Sequence, residues 1–145
     1  MRVAIASDHA GFEQKQQLVD YLASELKVDT IDCGPDTDDR VDYPDYAKKV
    51  ADMVVSGTAD CGVLVCGTGI GMALAADKVA GIRASSITTP EFADLFRRHN
   101  DGNVVCLSGR FVDLQVNKDI IKVFLTAEFE GGRHAERVAK VMKLD

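Results

Sequence analysis

Cys66 ends the apolar run Cys61–Cys66 (CGVLVC) and directly precedes Gly67-Thr68-Gly69-Ile70-Gly71. A glycine-rich turn between a strand and a helix aims backbone N–H groups at one point, and the helix dipole adds positive potential there. Such a turn is an anion cradle. A cysteine beside it has its thiolate stabilised and can serve as a base or a nucleophile. Both features also have a purely structural reading. Glycine supplies the backbone angles of a tight βα turn, and a free cysteine often behaves as a small buried hydrophobe. The second reading is adopted for Cys33, Cys61 and Cys106. Two other uses of the glycines fail on spacing. Met72 stands where a dinucleotide fingerprint needs its third glycine, and no Lys-Ser/Thr pair follows as a Walker-type loop requires.

Other residues have chemical potential at other points of the chain. Asp8 and His9 follow the apolar run Val3–Ala6. They can grip sugar hydroxyls, or Asp8 can form an Asx-type turn or cap the next helix. His99 and Asn100 close an amphipathic stretch, where a histidine also suits the negative end of a helix dipole. Arg133 and Arg137 lie four apart behind Gly131-Gly132 and share a helix face, with His134 adjacent. Two guanidiniums on one face can clamp phosphate. The commoner role of such a pair is a solvated face, here with Glu136 as counter-charge. Arg110 follows Ser108-Gly109 after another apolar run.

The elements that must position these residues alternate from end to end. Strands are predicted at Val3–Ala6, Val28–Cys33, Cys61–Cys66, Ile82–Ile87 and Asn103–Ser108. Helices are predicted at Phe12–Lys27, Asp45–Ser56, Gly69–Val79, Thr89 to about His99, Asp113–Ala127 and Arg133–Lys143. The charged segment Gly34–Pro44 reads as an exposed loop. Thr89-Pro90-Glu91 is a helix start, with a capping hydroxyl, a proline in the first turn and an acid on the positive dipole end. This alternation predicts a doubly wound α/β/α sandwich around a parallel five-stranded sheet, with a C-terminal helix. Right-handed crossovers put every strand's C-terminal end on one edge, where ligands bind. The loops after the first, third and fifth strands should therefore converge. The helix ending near His99 descends from that edge, and ten residues make it roughly 15 Å long. His99 and Asn100 are thus expected at the opposite edge from Cys66 of the same chain.

Composition narrows the function classes. At 145 residues the chain has the size of one domain, so residues 1–145 are expected to fold as a unit. Seventeen basic against 23 acidic residues give a net charge of −6, which argues against nucleic acid and anionic membranes as partners. Any anionic ligand must be held by local donors. No apolar run is long enough to span a bilayer. The opening MRVAIASD meets a charge too soon for a signal peptide. The four cysteines contain no CxxC and are expected as reduced thiols in the cytoplasm. Cys61 and Cys66 cannot pair within one strand, since five residues separate them by roughly 16 Å.

Together the segments SDHAG, DYP at Asp42–Pro44, CGTGIGM, AGIRA, RHNDGNVVCLSGR and EGGRHAERV resemble the ribose-5-phosphate isomerase B and galactose-6-phosphate isomerase family from Val3 to about Val141. The resemblance implies a sugar-phosphate isomerase that moves a proton between carbons 1 and 2 through a cis-enediolate, with no metal and no cofactor. It makes Cys66 the base, Thr68 with Gly67, Gly69, Ile70 and Gly71 the anion site, and His99 the group that opens the furanose ring. It assigns Asp8, His9 and Asn100 to the sugar, Tyr43 to the pocket wall, and Arg110, Arg133 and Arg137 to the phosphate. Ribose 5-phosphate and ribulose 5-phosphate are the expected pair; a hexose phosphate, or a non-enzymatic phosphate- or nucleotide-binding role on the same fold, are the alternatives. With His99 at the wrong edge, these roles also require a second copy, in a homodimer or a dimer of dimers with shared sites.

Overall fold

The computed structural model describes every residue from Met1 to Asp145. Five strands, β1 (Arg2–Ser7), β2 (Asp29–Asp32), β3 (Cys61–Cys66), β4 (Ala84–Ser86) and β5 (Val104–Ser108), form one parallel sheet in the order β2-β1-β3-β5-β4. Six α-helices connect or follow them: α1 (Phe12–Asp20), α2 (Tyr43–Val55), α3 (Ile70–Ala76), α4 (Pro90–Asn100), α5 (Leu114–Thr126) and α6 (Arg133–Met142). The predicted α/β class, sheet and C-terminal helix are all present.

Strand periodicity sorts the core into two layers. Val3, Ile5, Val63, Val65, Val105 and Leu107 point to one face and pack with Leu18, Phe96, Ile120 and Phe124. Ala4, Ala6, Leu64, Cys66, Val104 and Cys106 point to the other and pack with Ala47, Val50, Met72 and Ala76. Small residues on this second face let α2 approach the sheet closely. At Gly62, a Cβ would lie only 2.4 Å from Val50 Cγ1. β3, buried on both faces and apolar throughout, sits at the centre of the sheet and carries Cys66.

Three predicted spans are corrected. The helix expected over Phe12–Lys27 is α-helical only to Asp20. It continues as a π-helical turn, Tyr21–Glu25, closed by Leu26 N–H on Tyr21 O at 3.0 Å. The wide turn keeps the consecutive residues Tyr21 and Leu22 both buried. β4 is Ala84–Ser86 instead of Ile82–Ile87, because the Asn103 side chain replaces the ladder at its start. Its Oδ1 accepts from Arg83 N–H at 2.7 Å, and its Nδ2 donates to Gly81 O at 3.0 Å. α3 stops at Ala76, and Asp77 beyond it accepts from Ala84 N–H at 2.8 Å. The predicted α4 start is as observed: Thr89 Oγ1 accepts from Phe92 N–H at 3.2 Å, with Pro90 in the first turn.

Candidate active site

The loops after β1, β3 and β5 converge at the C-terminal edge. Asp8 N–H donates to Val65 O at 3.1 Å, Gly109 N–H to Cys66 O at 2.8 Å, and Arg110 N–H to Gly67 O at 3.1 Å. The Ser108 hydroxyl donates to Gly67 O at 2.7 Å. This close meeting needs small residues. A Cβ on Gly11 would sit 2.4 Å from Val65 O, and one on Gly109 would sit 3.2 Å from Gly11 Cα.

At the centre lies Cys66, buried at 5% exposure. Its Sγ accepts from the Gly69 N–H at 3.1 Å. Gly69 has φ +83°, left-handed backbone that glycine adopts without penalty, and this turns its N–H back onto the sulfur. Burial pushes Cys61 up to about 12, raises Cys106 well above the ordinary thiol value, and raises Cys33 as well. Those three are held protonated, in keeping with the structural reading given to them.

Thr68 is exposed on the rim, and its Oγ1 accepts from Ile70 N–H at 3.2 Å. That bond uses an oxygen lone pair, so the hydroxyl proton can still be donated outward. Tyr43, in the first turn of α2, lays its ring on Gly71, where a Cβ would come within 2.8 Å of the ring. The Arg110 guanidinium covers Gly67, with Nη1 3.3 Å from the position of a Cβ. Asp8 adopts the turn role, with Oδ1 accepting from Gly11 N–H at 2.9 Å, while the α1 cap position belongs to Gly11. His9 Nδ1 lies 3.3 Å from Val41 N, which fastens the loop leading to Tyr43 and leaves Nε2 unengaged. Thus Cys66, Gly67, Thr68, Gly69, Ile70, Gly71, Tyr43, Asp8, His9 and Arg110 share one edge.

His99, Asn100 and Arg137 do not join them. With Arg83, Ala84 and His134 they line a separate cleft of about 790 Å³ beside the start of β4. Ala84 pairs with Val104, whereas Cys66 pairs with Ser108 at the other end of β5. Four residues of strand separate those levels, roughly 13 Å at about 3.3 Å each. Here the His99 and His134 rings stack at 4.3 Å with an interplanar angle of 9°. Desolvation and the neighbouring His99, Arg133 and Arg137 push the His134 pKa down, which favours its neutral ring. Arg133 stands exposed on the same helix, α6. The expected counter-charge from Glu136 is not there: neither Arg133 nor Arg137 forms an ion pair, and Arg110 forms none. Three unpaired guanidiniums in a chain of net charge −6 are suited to an anion that the protein does not itself supply.

Glu130 is the functional candidate that the sequence reading overlooked, and His134 was noted only as a neighbour. Both lie in EGGRH, where the predicted helix Asp113–Ala127 gives way to Arg133–Lys143. His99, Glu130 and His134 place their ligand atoms within 4.8 Å of one another. They are poorly arranged for a metal, however. Near-parallel rings with centroids 4.3 Å apart keep their lone pairs in two separate, parallel planes, so the two do not meet at one ion, and Arg98 already holds Glu130 Oε1 at 2.9 Å. The arrangement is better suited to moving protons.

Residues 3–141 match the protein family described as Ribose/Galactose Isomerase. Ribose-5-phosphate isomerase B of Escherichia coli (strain K12) is 43% identical, covering 99% of this chain and 96% of its own. A putative sugar phosphate isomerase of Bacillus subtilis (strain 168) is 45% identical, covering 97% and 95%. Among solved structures, ribose-5-phosphate isomerase B of Clostridium thermocellum superposes with a TM-score of 0.97 at 44% identity, over 99% of this chain and 97% of its own. The Mycoplasma genitalium enzyme of that name, with bound ribulose-5-phosphate, superposes with a TM-score of 0.94 at 41% identity, over 99% and 95%.

Proposed function

Because the chain belongs to the Ribose/Galactose Isomerase family, we propose that it interconverts ribose 5-phosphate and ribulose 5-phosphate. The observation that carries this reading is a buried thiol under a backbone N–H, at 3.1 Å, inside a glycine cradle. A relative holding ribulose-5-phosphate on the same fold supports the choice of substrate. Cys66 takes the proton from carbon 2 of the aldose and returns it to carbon 1 of the enediolate. Excess charge on the enediolate oxygens is met by the remaining N–H groups of the Gly67–Gly71 loop and by the Thr68 hydroxyl, while the Gly69 and Ile70 N–H groups hold Cys66 Sγ and Thr68 Oγ1 in place. Asp8, His9 and Asn100 hold the sugar hydroxyls, Tyr43 and Ile70 wall the pocket, and Arg110, Arg133 and Arg137 take the phosphate. The four free thiols fit a reducing compartment, the cytoplasm. Mixing the protein with ribose 5-phosphate and measuring ketose formation tests the activity. Ketose should accumulate to equilibrium. Turnover of galactose 6-phosphate alone would move the assignment to the hexose branch, and turnover of neither would leave a binding module.

The site also needs a second copy of the chain. His99 and Cys66 lie at opposite ends of the sheet, so the ring-opening group and the base meet only across an interface. The apolar side chains left outside the core support this. Ile70 and Leu74 on α3, Phe92 and Leu95 on α4, and Phe111 beside Arg110 are all exposed. A two-fold dimer, alone or doubled, buries them and builds two composite sites. Each would combine Cys66 and Arg110 of one copy with His99, Asn100, Arg133 and Arg137 of the other.

Two variants test the assigned roles. Ribulose 5-phosphate has no free carbon 5 hydroxyl with which to close a furanose, whereas ribose 5-phosphate is mostly closed. His99→Asn should therefore slow ketose formation from ribose 5-phosphate. Exchange of the carbon-bound proton of ribulose 5-phosphate with solvent should survive much better. Equal loss in both assays would place His99 in proton transfer or in folding. Arg137→Ala should weaken binding of phosphorylated sugars by roughly 1.5–3 kcal/mol, the range for hydrogen bonds to charged groups. Any weak activity on free ribose should be nearly unchanged. An equal penalty on both sugars would make α6 a structural element only.

A further inference from the structure

We propose that Glu130 is the positioning residue of His99, fixing which ring nitrogen carries the proton and how the ring faces the substrate. This rests on His99 being the ring-opening group. Glu130 is not a loosely placed surface carboxylate. Its backbone N–H donates to Arg98 O at 3.0 Å, and its Oε1 accepts from Arg98 Nη2 at 2.9 Å. Arg98 is itself held on the other side by Asp94 Oδ2 at 3.0 Å, one turn earlier on α4. The carboxylate is thus clamped at main chain and side chain to the residue next to His99. From there Oε1 meets His99 Nε2 at 3.4 Å.

A histidine has two nitrogens, and the partner of one decides the state of the other. A carboxylate at Nε2 keeps the proton on that nitrogen. Nδ1 is then the acceptor nitrogen, which takes the proton of the anomeric hydroxyl and passes it to the ring oxygen as the carbon–oxygen bond breaks. The His134 ring, stacked at 4.3 Å, blocks rotation of His99 out of its plane. The remaining charged groups around the cleft are Arg137 on α6, Asp77 after α3, Arg83 before β4, and Asp145. None of them forms an ion pair with His99; the Glu130 carboxylate is the one charged group within ion-pair distance of its ring. Glu130 comes from the loop between α5 and α6, 32 residues from Arg98. The geometry therefore ties the conformation of that loop to the readiness of His99.

Two variants and two readouts test the proposal. Glu130→Ala removes the acceptor; Glu130→Gln keeps an acceptor oxygen in nearly the same volume. With Glu130→Ala, turnover of ribose 5-phosphate should fall about tenfold, part of what a misdirected acid–base group costs. Solvent exchange of ribulose 5-phosphate should be nearly unchanged, and Glu130→Gln should recover most of the loss. Independently of activity, long-range proton–nitrogen NMR spectra should show the His99 proton on Nε2 in the native protein, and a mixture of tautomers in Glu130→Ala. An unchanged tautomer, or equal losses in the two activity assays, would overturn the proposal. If His99→Asn itself lacks the directional loss, it is the ring-opening role that fails, and the NMR result still decides whether Glu130 orients His99.

Discussion

Replacing Cys66 by serine should lower the turnover of ribose 5-phosphate at least about 100-fold, the smaller end of what a general base contributes, with little change in substrate binding. The substitution keeps the shape and the Gly69 N–H contact, 3.1 Å from the sulfur in the native protein. What it removes is an ionisable atom. A serine hydroxyl is too weak an acid to be deprotonated by one N–H and a short helix. The loss should therefore appear in turnover and in solvent exchange of ribulose 5-phosphate alike, unlike the loss from His99→Asn. Alkylation provides a second check. The thiols of Cys33, Cys61 and Cys106 are pushed up by burial, chiefly through desolvation, and react slowly. Iodoacetamide should inactivate the enzyme through Cys66, and a bound sugar phosphate should slow the inactivation by covering a thiol that is only 5% exposed. Near-normal turnover in Cys66→Ser would remove Cys66 from the chemistry.

Some of the fold and the site was legible in the sequence for definite physical reasons. β3 could be bounded to the residue, since a strand buried on both faces is apolar without alternation and ends where the glycines begin. Thr89-Pro90-Glu91 announced α4 because capping chemistry is local. The convergence of three loops on Cys66 followed from the parallel topology, and so did the placement of His99 away from it. What was not legible depended on partners far along the chain. The leucines at positions 18, 22 and 26 fit an α-helical period, and nothing in them announces the π turn that buries Tyr21 beside Leu22. The truncation of β4 is caused by Asn103, which follows it by 17 residues (103 − 86) and caps its start from the side. The insertion of β5 between β3 and β4 is a choice of pairing that no single strand encodes. Glu130 looks like an ordinary loop acid until Arg98 and His99 are brought to it.

The proposed site requires Cys66 and His99 to meet across two copies of the chain. Mixing two impaired variants measures this directly. Cys66→Ala lacks the base, and His99→Asn lacks the ring-opening group. Each should be strongly impaired on furanose ribose 5-phosphate as a homodimer. After an equal mixture is unfolded and refolded, random pairing makes half of the dimers heterodimers. In each heterodimer one site carries both lesions. The other joins the intact Cys66 of one copy to the intact His99 of its partner. Activity on ribose 5-phosphate should therefore return to roughly a quarter of the native value. In a site built within one chain, no heterodimer would hold an intact pair. A refolded mixture that contains heterodimers and stays as impaired as the homodimers would contradict the shared site.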